Sequence, residues 1–347
     1  MATKTVTTLP RQLKSALQWQ RPWPANLQES DRSFFAPNQQ VRLEGSELLQ
    51  LQDVNVLADG VVFRHLYAYP ETFIYSDFQL HNWRGLAYIY LKFAQHQLPA
   101  DFRYVIAHHA WAVNYYHWMV DVLPRLEAIK ELLPDLTLLL PANYNKEYHR
   151  ATLQALGVRR VQWLQPHTRY RVPELLVPTR MARVTDSRPD AMLALRQTLL
   201  NYFQPDPAQG LGERIYISRA RAPRRKVVNE DAVCEYLRQQ GFAIVYFEDY
   251  SFQQQVSIAA QARYLISIHG AGLTNMLFMP ANSRVMELQM RDDGTCYFYY
   301  ALATGLGLDY FYQFCEPTNP GEIVNTADLI VDLPLLARNV ECMLASA

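Results

Sequence analysis

From Tyr264 to Ile268 the chain is apolar and largely β-branched with no charge, and His269-Gly270-Ala271-Gly272 follows at once. An unbroken apolar run that gives way to glycines predicts a buried parallel strand ending in a turn, with a helix from Leu273 to Met279 beyond it. The pattern recurs along the chain. Arg103 to Ala107, Leu136 to Leu140 and Arg160 to Leu164 read as strands, while Asn114 to Leu133 and Glu147 to Leu156 carry apolar residues at helical spacing, with Pro124 as an irregularity inside the first helix. From Glu213 onward the order is strand 214–218, helix 230–239, strand 243–247, helix 252–262, the glycine turn, strand 283–288, helix 297–304 and strand 310–314. Such alternation predicts an α/β chain with two doubly wound halves, each a parallel sheet covered by helices.

The remaining stretches are less regular. The first hundred residues are rich in aromatics, with Val54 to Phe63 and Thr72 to Phe78 reading as hairpin-like strands. Prolines at 166, 173, 178, 189, 205 and 207 loosen the pattern between Pro166 and Gly212, where only Ala191 to Phe203 reads as helical. The expected division is a first domain over 1–190 with an aromatic-rich N-terminal extension and a second over 191–330. A final helix from Leu333 to Leu344, within 331–347, is free to cross back onto the first.

Composition bounds the function. The 347 residues are 50% hydrophobic, enough for two cores, and 33 basic against 33 acidic side chains remove any global electrostatic attraction to nucleic acid. Cys234, Cys296, Cys315 and Cys342 form no C-x-x-C pair, which points to thiols in a reducing, cytoplasmic setting. No stretch is long and apolar enough to span a bilayer, and a weak amphipathic turn around Leu13, Leu17 and Trp19 leaves peripheral attachment at the inner face of the membrane open.

Three features carry chemistry. A strand feeding glycines and a helix start gathers backbone N–H groups and the positive helix end, an anion site, and Glu287 at the end of the next strand is placed for ribose hydroxyls. Arg214, Arg219, Arg221, Arg224, Arg225 and Lys226 cluster around another strand end; Arg219, directly after the strand, and Arg225, before a helix start, are the ones placed to fork onto a diphosphate. His117 and Asp121, four apart on one helical face, form an acid–base pair beside Asn114 and His109. D-x-D, H-E-x-x-H and P-loop motifs are missing from the sequence, so the expected site uses no metal.

Taken together, NYYHWMVDVLPR (114–125), ISR (217–219) with RRKVVNE (224–230), SIHGAGLTNMLFMP (267–280) and VMEL (285–288) resemble the family 61 glycosyltransferases. That family includes bacterial enzymes of capsule and surface polysaccharide synthesis, plant xylosyl- and arabinosyltransferases, and animal enzymes that add N-acetylglucosamine to protein. The resemblance covers about Arg103 to Phe314. It implies a GT-B fold, two Rossmann-like domains across a cleft, and inverting, metal-independent transfer from a nucleotide sugar such as a UDP-sugar to a glycan or glycolipid acceptor. Carried over by position, Arg219, Arg225, His269, Gly270, Ala271, Gly272, Leu273, Thr274 and Glu287 are donor-site residues, while His117 and Asp121 face the acceptor. For the base, Asp121 with His117 orienting it is preferred over the reverse, and His269 comes third. A nicotinamide oxidoreductase and a non-catalytic nucleotide-sugar or glycan-binding module are the competing readings.

Overall fold

The computed structural model describes residues 11–73, 82–184, 186–291, 297–319, 321 and 326–345. The chain forms two units, Met1–Leu17 with Leu43–Val184, and Gln18–Arg42 with Thr185–Ala347. In chain order the first elements are β1 (Arg11–Lys14), β2 (Leu17–Gln20), α1 (Arg32–Phe35) and β3 (Gln40–Leu43). Next come β4 (Ser46–Val56), β5 (Val62–Arg64), β6 (Tyr67–Ala68), α2 (Trp83–Lys92), β7 (Ala94–Gln97) and β8 (Arg103–Val105). The helix after β8 is broken into α3 (Tyr115–His117), a π turn (Trp118–Val122) and α4 (Leu123–Glu127), followed by β9 (Leu136–Pro141), α5 (Glu147–Ala155), β10 (Arg160–Leu164) and β11 (Thr168–Pro178). Most of the expected strand 72–78 lies outside the described residues.

The sheet of the first unit runs β10-β9-β8-β11-β4-β5-β6, with β1 beside β4 and β7 beside β11. The β8-to-β10 part is parallel, as the alternation predicts. The sheet as a whole is mixed, because β11 is parallel to β8 but antiparallel to β4. This corrects the expected doubly wound first half, and it corrects the loosened reading of 166–212. β11 buries Tyr170, Val172, Leu175 and Val177 in the same cluster as Leu51, Val54 and Ile106, and the prolines that hid it stand within and at the end of an 11-residue strand.

The second unit continues with α6 (Pro189–Phe203), β12 (Arg214–Ile217), α7 (Glu230–Gln239), β13 (Ala243–Val245), α8 (Phe252–Gln261) and β14 (Tyr264–Ile268). A 3₁₀ turn (Ala271–Phe278) stands where an α-helix is expected, before β15 (Arg284–Met290), α9 (Phe298–Gly305), β16 (Asp309–Pro317), β17 (Leu329–Ile330) and α10 (Leu333–Ala345). The sheet order is β13-β12-β14-β15-β16-β17, parallel except for β17. The first strand thus sits between the second and third, so the order reverses between β12 and β14. In open α/β sheets ligands bind outside the carboxyl ends of the strands at such a reversal.

α7 and α10 share one buried cluster with Tyr216, Ile266, Met286, Leu288 and Phe311. α10 therefore belongs to the core of the second unit, where Leu336, Val340 and Met343 find a complementary apolar face. The stretch 18–42, expected in the first domain, also belongs to the second unit: Asn26 exchanges hydrogen bonds with the Tyr312 backbone (2.8 and 3.1 Å), and Phe35 packs on Tyr300 and Tyr312. Alternating side chains, and aromatics without periodicity, gave no sign of this partner. Among the described residues the protein is mixed α/β, with two large sheets, a separate β2–β3 pair and interspersed helices, broadly consistent with a GT-B-like architecture of two units.

Candidate functional site

In the first unit β8 runs on through buried Ile106 and Ala107 into His108 and His109, both closed to solvent. His108 Nε2 faces the Ala58 carbonyl at 3.1 Å, and burial pushes its pKa down to about 4, so the ring is neutral and donates there. Gly60 makes this contact possible. Its φ is +95°, and a Cβ would stand 2.5 Å from the His108 carbonyl oxygen.

His109 and His117 converge on one carboxylate oxygen. The Trp111 N–H donates to His109 Nδ1 (3.3 Å), which leaves the proton of the neutral ring on Nε2, and Nε2 lies 3.3 Å from Asp121 Oδ2. His117 Nδ1 lies 2.7 Å from the same oxygen. Burial alone raises the Asp121 pKa, but the His117 hydrogen bond and the nearby His109 imidazole outweigh it and hold the carboxyl below its ordinary value. Burial lowers His109, and Asp121 only partly offsets that. The pair expected from the i, i+4 spacing is thus formed, with His109 as a third member.

The local backbone explains how the pair is aimed. Pro124 has no N–H to return to the preceding turn, and the helix widens into the π turn over Trp118–Val122 immediately before it. α4 then buries Arg125, whose Nε donates to the Pro178 carbonyl (2.7 Å) and Nη1 to the Ala107 carbonyl (2.5 Å). Burial lowers this guanidinium to about 9, still charged at neutral pH, and it ties the carboxyl ends of β8 and β11 to the helix that carries Asp121. Sequence reasoning gave Arg125 no role; its position on the buried side of the helix, right after Pro124, was the available signal. From the α5 side, Tyr144 and Tyr148 hydroxyls donate to the carbonyls of His109 (3.0 Å) and Val113 (2.9 Å). A cavity of about 510 Å³ opens beside this loop at the carboxyl ends of β9 and β10, lined in part by Ala110, Val113, Pro141, Asn143 and Gln165.

In the second unit Arg219 and the glycine turn meet at the reversal between β12 and β14. The guanidinium is held by the carbonyls of Arg225 and Arg224, each at 3.3 Å, and rests against Gly270. Burial, then the charge of Arg225, lowers the Arg219 pKa. Arg225 adopts φ +60° and its Nε is buried without an acceptor. Its neighbours do other work: Arg214 donates to the Gln240 carbonyl (2.6 Å), Arg221 pairs with Asp249, and the Lys226 N–H donates to Asp328. The N–H groups of Ala271 and Gly272 precede the first bond of the 3₁₀ turn, from Leu273 N–H to the Gly270 carbonyl, and so point outward from its start. Gly272 lets that turn pack on Ile217, whose Cγ2 would stand 3.1 Å from a Cβ.

Three of the expected donor residues are internal. Glu287 stands in mid-strand, fully buried, with one oxygen 2.5 Å from His269 Nδ1 and the other accepting from the Tyr310 hydroxyl at 2.6 Å. It has no oxygen exposed to a ribose, which corrects that expectation: β15 extends to Met290, so the residue that looked terminal is enclosed. Glu287 positions His269 instead, and Tyr310 is a partner the sequence did not suggest. Leu273 and Thr274 are also fully buried, and Thr274 Oγ1 has no hydrogen-bond partner.

Residues 115–286 match the Glycosyltransferase 61 family, a span that holds His117, Asp121, Arg219 and the glycine turn, but starts after His109 and ends before Glu287. The EGF domain-specific O-linked N-acetylglucosamine transferase of Mus musculus is 31% identical over 112 residues, 31% of this chain and 21% of that protein. The Drosophila melanogaster protein of the same description is 36% identical over 85 residues, 24% and 16% respectively. The Bos taurus protein O-linked-mannose beta-1,4-N-acetylglucosaminyltransferase 2 is 31% identical over 119 residues, 33% and 20%. The aligned stretch thus spans about a fifth of these animal relatives, and they do not bear on the expected bacterial capsule assignment. No helix among the described residues is long and apolar enough to cross a membrane.

Proposed function

We propose, from the premise that a family 61 glycosyltransferase domain is present over residues 115–286, that this chain moves a sugar from a nucleotide diphosphate sugar to an acceptor hydroxyl with inversion. The second unit holds the donor. Arg219, Arg225 and the N–H groups of Ala271 and Gly272 meet the diphosphate, and His269, oriented by Glu287, donates to phosphate or sugar. UDP is the proposed nucleotide. The first unit supplies the base.

The observation that carries this reading is the pair of histidine nitrogens on Asp121 Oδ2. A carboxylate that is bonded to His117, has His109 Nε2 at 3.3 Å and is held ionised is a weak base, which favours the reverse of the sequence-based preference. In the proposed step His117, its Nδ1–H fixed by Asp121, takes the acceptor proton at Nε2 while the acceptor oxygen bonds to the anomeric carbon. The bond to the β-phosphate breaks, and its electron pair leaves with UDP, whose charge Arg219 and the glycine-turn N–H groups stabilise. The cavity lined by Ala110 and Val113, in the loop that follows His109, is the proposed acceptor pocket for a glycan or glycolipid. The step is proposed to need no metal, because the His109 and His117 nitrogens turned toward Asp121 are read as N–H donors instead of lone pairs. The cytoplasm is the proposed compartment, in keeping with the inert thiols of Cys234 and Cys315, pushed by burial to about 11 and about 12.

Thermal stabilisation measured across UDP, GDP, CMP and NAD tests the donor, since a ligand at about 100 times its Kd adds about 2.7 kcal/mol. Stabilisation by UDP and release of UDP from a UDP-sugar are expected. Stabilisation by NAD alone would turn the reading to an oxidoreductase, and UDP-sugar binding without turnover to a binding module.

A further inference from the structure

The first unit carries a second cavity, of about 220 Å³ and lined mainly by polar side chains, remote in the sheet from the His109 loop. It lies toward the start of β11, whereas His109 follows the carboxyl end of β8, and β8 pairs with β11 only at Leu175 and Leu176. Arg169 and Arg171 are two apart on β11 and so project from one face, and the register sets Arg171 opposite Asn55 of β4. Arg64 enters from the end of β5, beside His65, and Tyr90 from α2.

Three guanidinium groups therefore share this cavity with one carboxylate, and that carboxylate is spent. Asp53 takes Arg171 in a two-pronged ion pair, 2.6 Å to Nε and 2.9 Å to Nη2, which holds its carboxyl below the ordinary value. Arg169 is held in place without being neutralised: its guanidinium lies 4.7 Å from the centre of the Tyr90 ring, and Nη1 is 3.4 Å from Asn55 Oδ1. Asn55 in turn donates to the Tyr90 hydroxyl at 3.1 Å. Arg64 has no carboxylate partner among the described residues. The Nε atoms of Arg64 and Arg169 are both buried without an acceptor.

Buried donors on cationic side chains, in a cavity with room for a small group, are the requirements for a bound oxyanion. We propose that this cavity is a phosphate site, in which Arg64 and Arg169 bind the phosphate group of a ligand while Asp53 and Tyr90 hold the cationic walls in position. Two guanidinium groups that make no carboxylate ion pair among the described residues match the double charge of a phosphate monoester. The proposal stands independently of the sugar-transfer reading.

The test is calorimetry and thermal shift with sodium phosphate against sodium chloride at equal ionic strength. It is run on the parent chain and on Arg219→Ala, which removes the other arginine expected to attract phosphate. Phosphate is expected to bind both proteins. Arg64→Gln and Arg169→Gln are each expected to weaken binding at least about 10-fold, as loss of a charge-assisted hydrogen bond does. Arg169→Lys, which retains the charge, covers the case in which loss of the Tyr90 contact unfolds the Gln variant, and an intermediate affinity is expected. No preference for phosphate over chloride, or equal affinity in Arg64→Gln and Arg169→Lys, overturns the site. Vesicles of phosphatidylcholine with phosphatidate, compared with soluble glucose 1-phosphate, identify the source: binding of either that is lost in Arg64→Gln supports the site, and binding of neither counts against it.

Discussion

The guanidinium of Arg219 occupies the space that a side chain at Gly270 would need. A Cβ there would lie 2.7 Å from Nη1 and 3.0 Å from Cζ. The φ of Gly270 is 166°, extended backbone open to any residue, so it is space and not conformational freedom that requires glycine. Arg219→Ala is expected to cost about 1.5 to 3 kcal/mol of UDP affinity, the range for a charged hydrogen bond. Gly270→Ala displaces the guanidinium and is expected to weaken UDP about 10-fold, that is, by about 1.4 kcal/mol. If the two share one cause, calorimetry on the double variant will show no further loss beyond Arg219→Ala. Full additivity would separate the glycine from the arginine.

His117→Gln is expected to lower kcat by about 10² or more with UDP affinity unchanged, as removal of a general base does. Asp121→Asn preserves shape but removes the charge that fixes Nδ1–H, and a loss of similar size is expected. The double variant should be little worse than either. Parental turnover in His117→Gln alongside a dead Asp121→Asn would return the base to Asp121.

Glu287→Gln separates a positioning role from a ribose role. With both oxygens engaged inside the sheet by His269 and Tyr310, the substitution is expected to reduce stability by about 1.5 to 3 kcal/mol in urea unfolding. Parental stability with a selective loss of nucleoside affinity would favour direct contact with the donor.

His108 makes stability pH-dependent. Its folded pKa of about 4 lies below the ordinary 6.5, so between those values the unfolded chain binds more protons than the folded one. Stability is fully present above pH 6.5 and falls as pH drops toward 4, by about 3 kcal/mol from this group. His149, lowered to about 4 chiefly by burial, acts in the same direction. Urea midpoints at pH 7.5 and 4.5 check this, and His108→Gln should flatten the difference by the His108 share.

Turnover is expected to survive EDTA. Loss of activity restored by manganese or zinc would make His109, His117 and Asp121, whose ligand atoms lie within 4.8 Å of one another, a metal site.

The sequence determined the elements whose apolar pattern is local. β14 has the predicted bounds, as does α7, and the parallel β8-to-β10 run follows from alternation, because burial on two faces or one leaves a period of two or 3.6 along the chain. The His117–Asp121 pair was legible for the same reason: i, i+4 spacing fixes a shared helical face before any tertiary contact forms. What the tertiary structure alone decided depends on partners distant in sequence. His109 reaches Asp121 only because β8 ends beside the π turn, and Glu287 turned inward because His269 and Tyr310 come from neighbouring strands of the same sheet. The central place of β11, interrupted by Pro173, and the membership of 18–42 in the second unit likewise rest on pairings across more than a hundred residues. A one-dimensional pattern records which side of an element is buried, but not what lies against it.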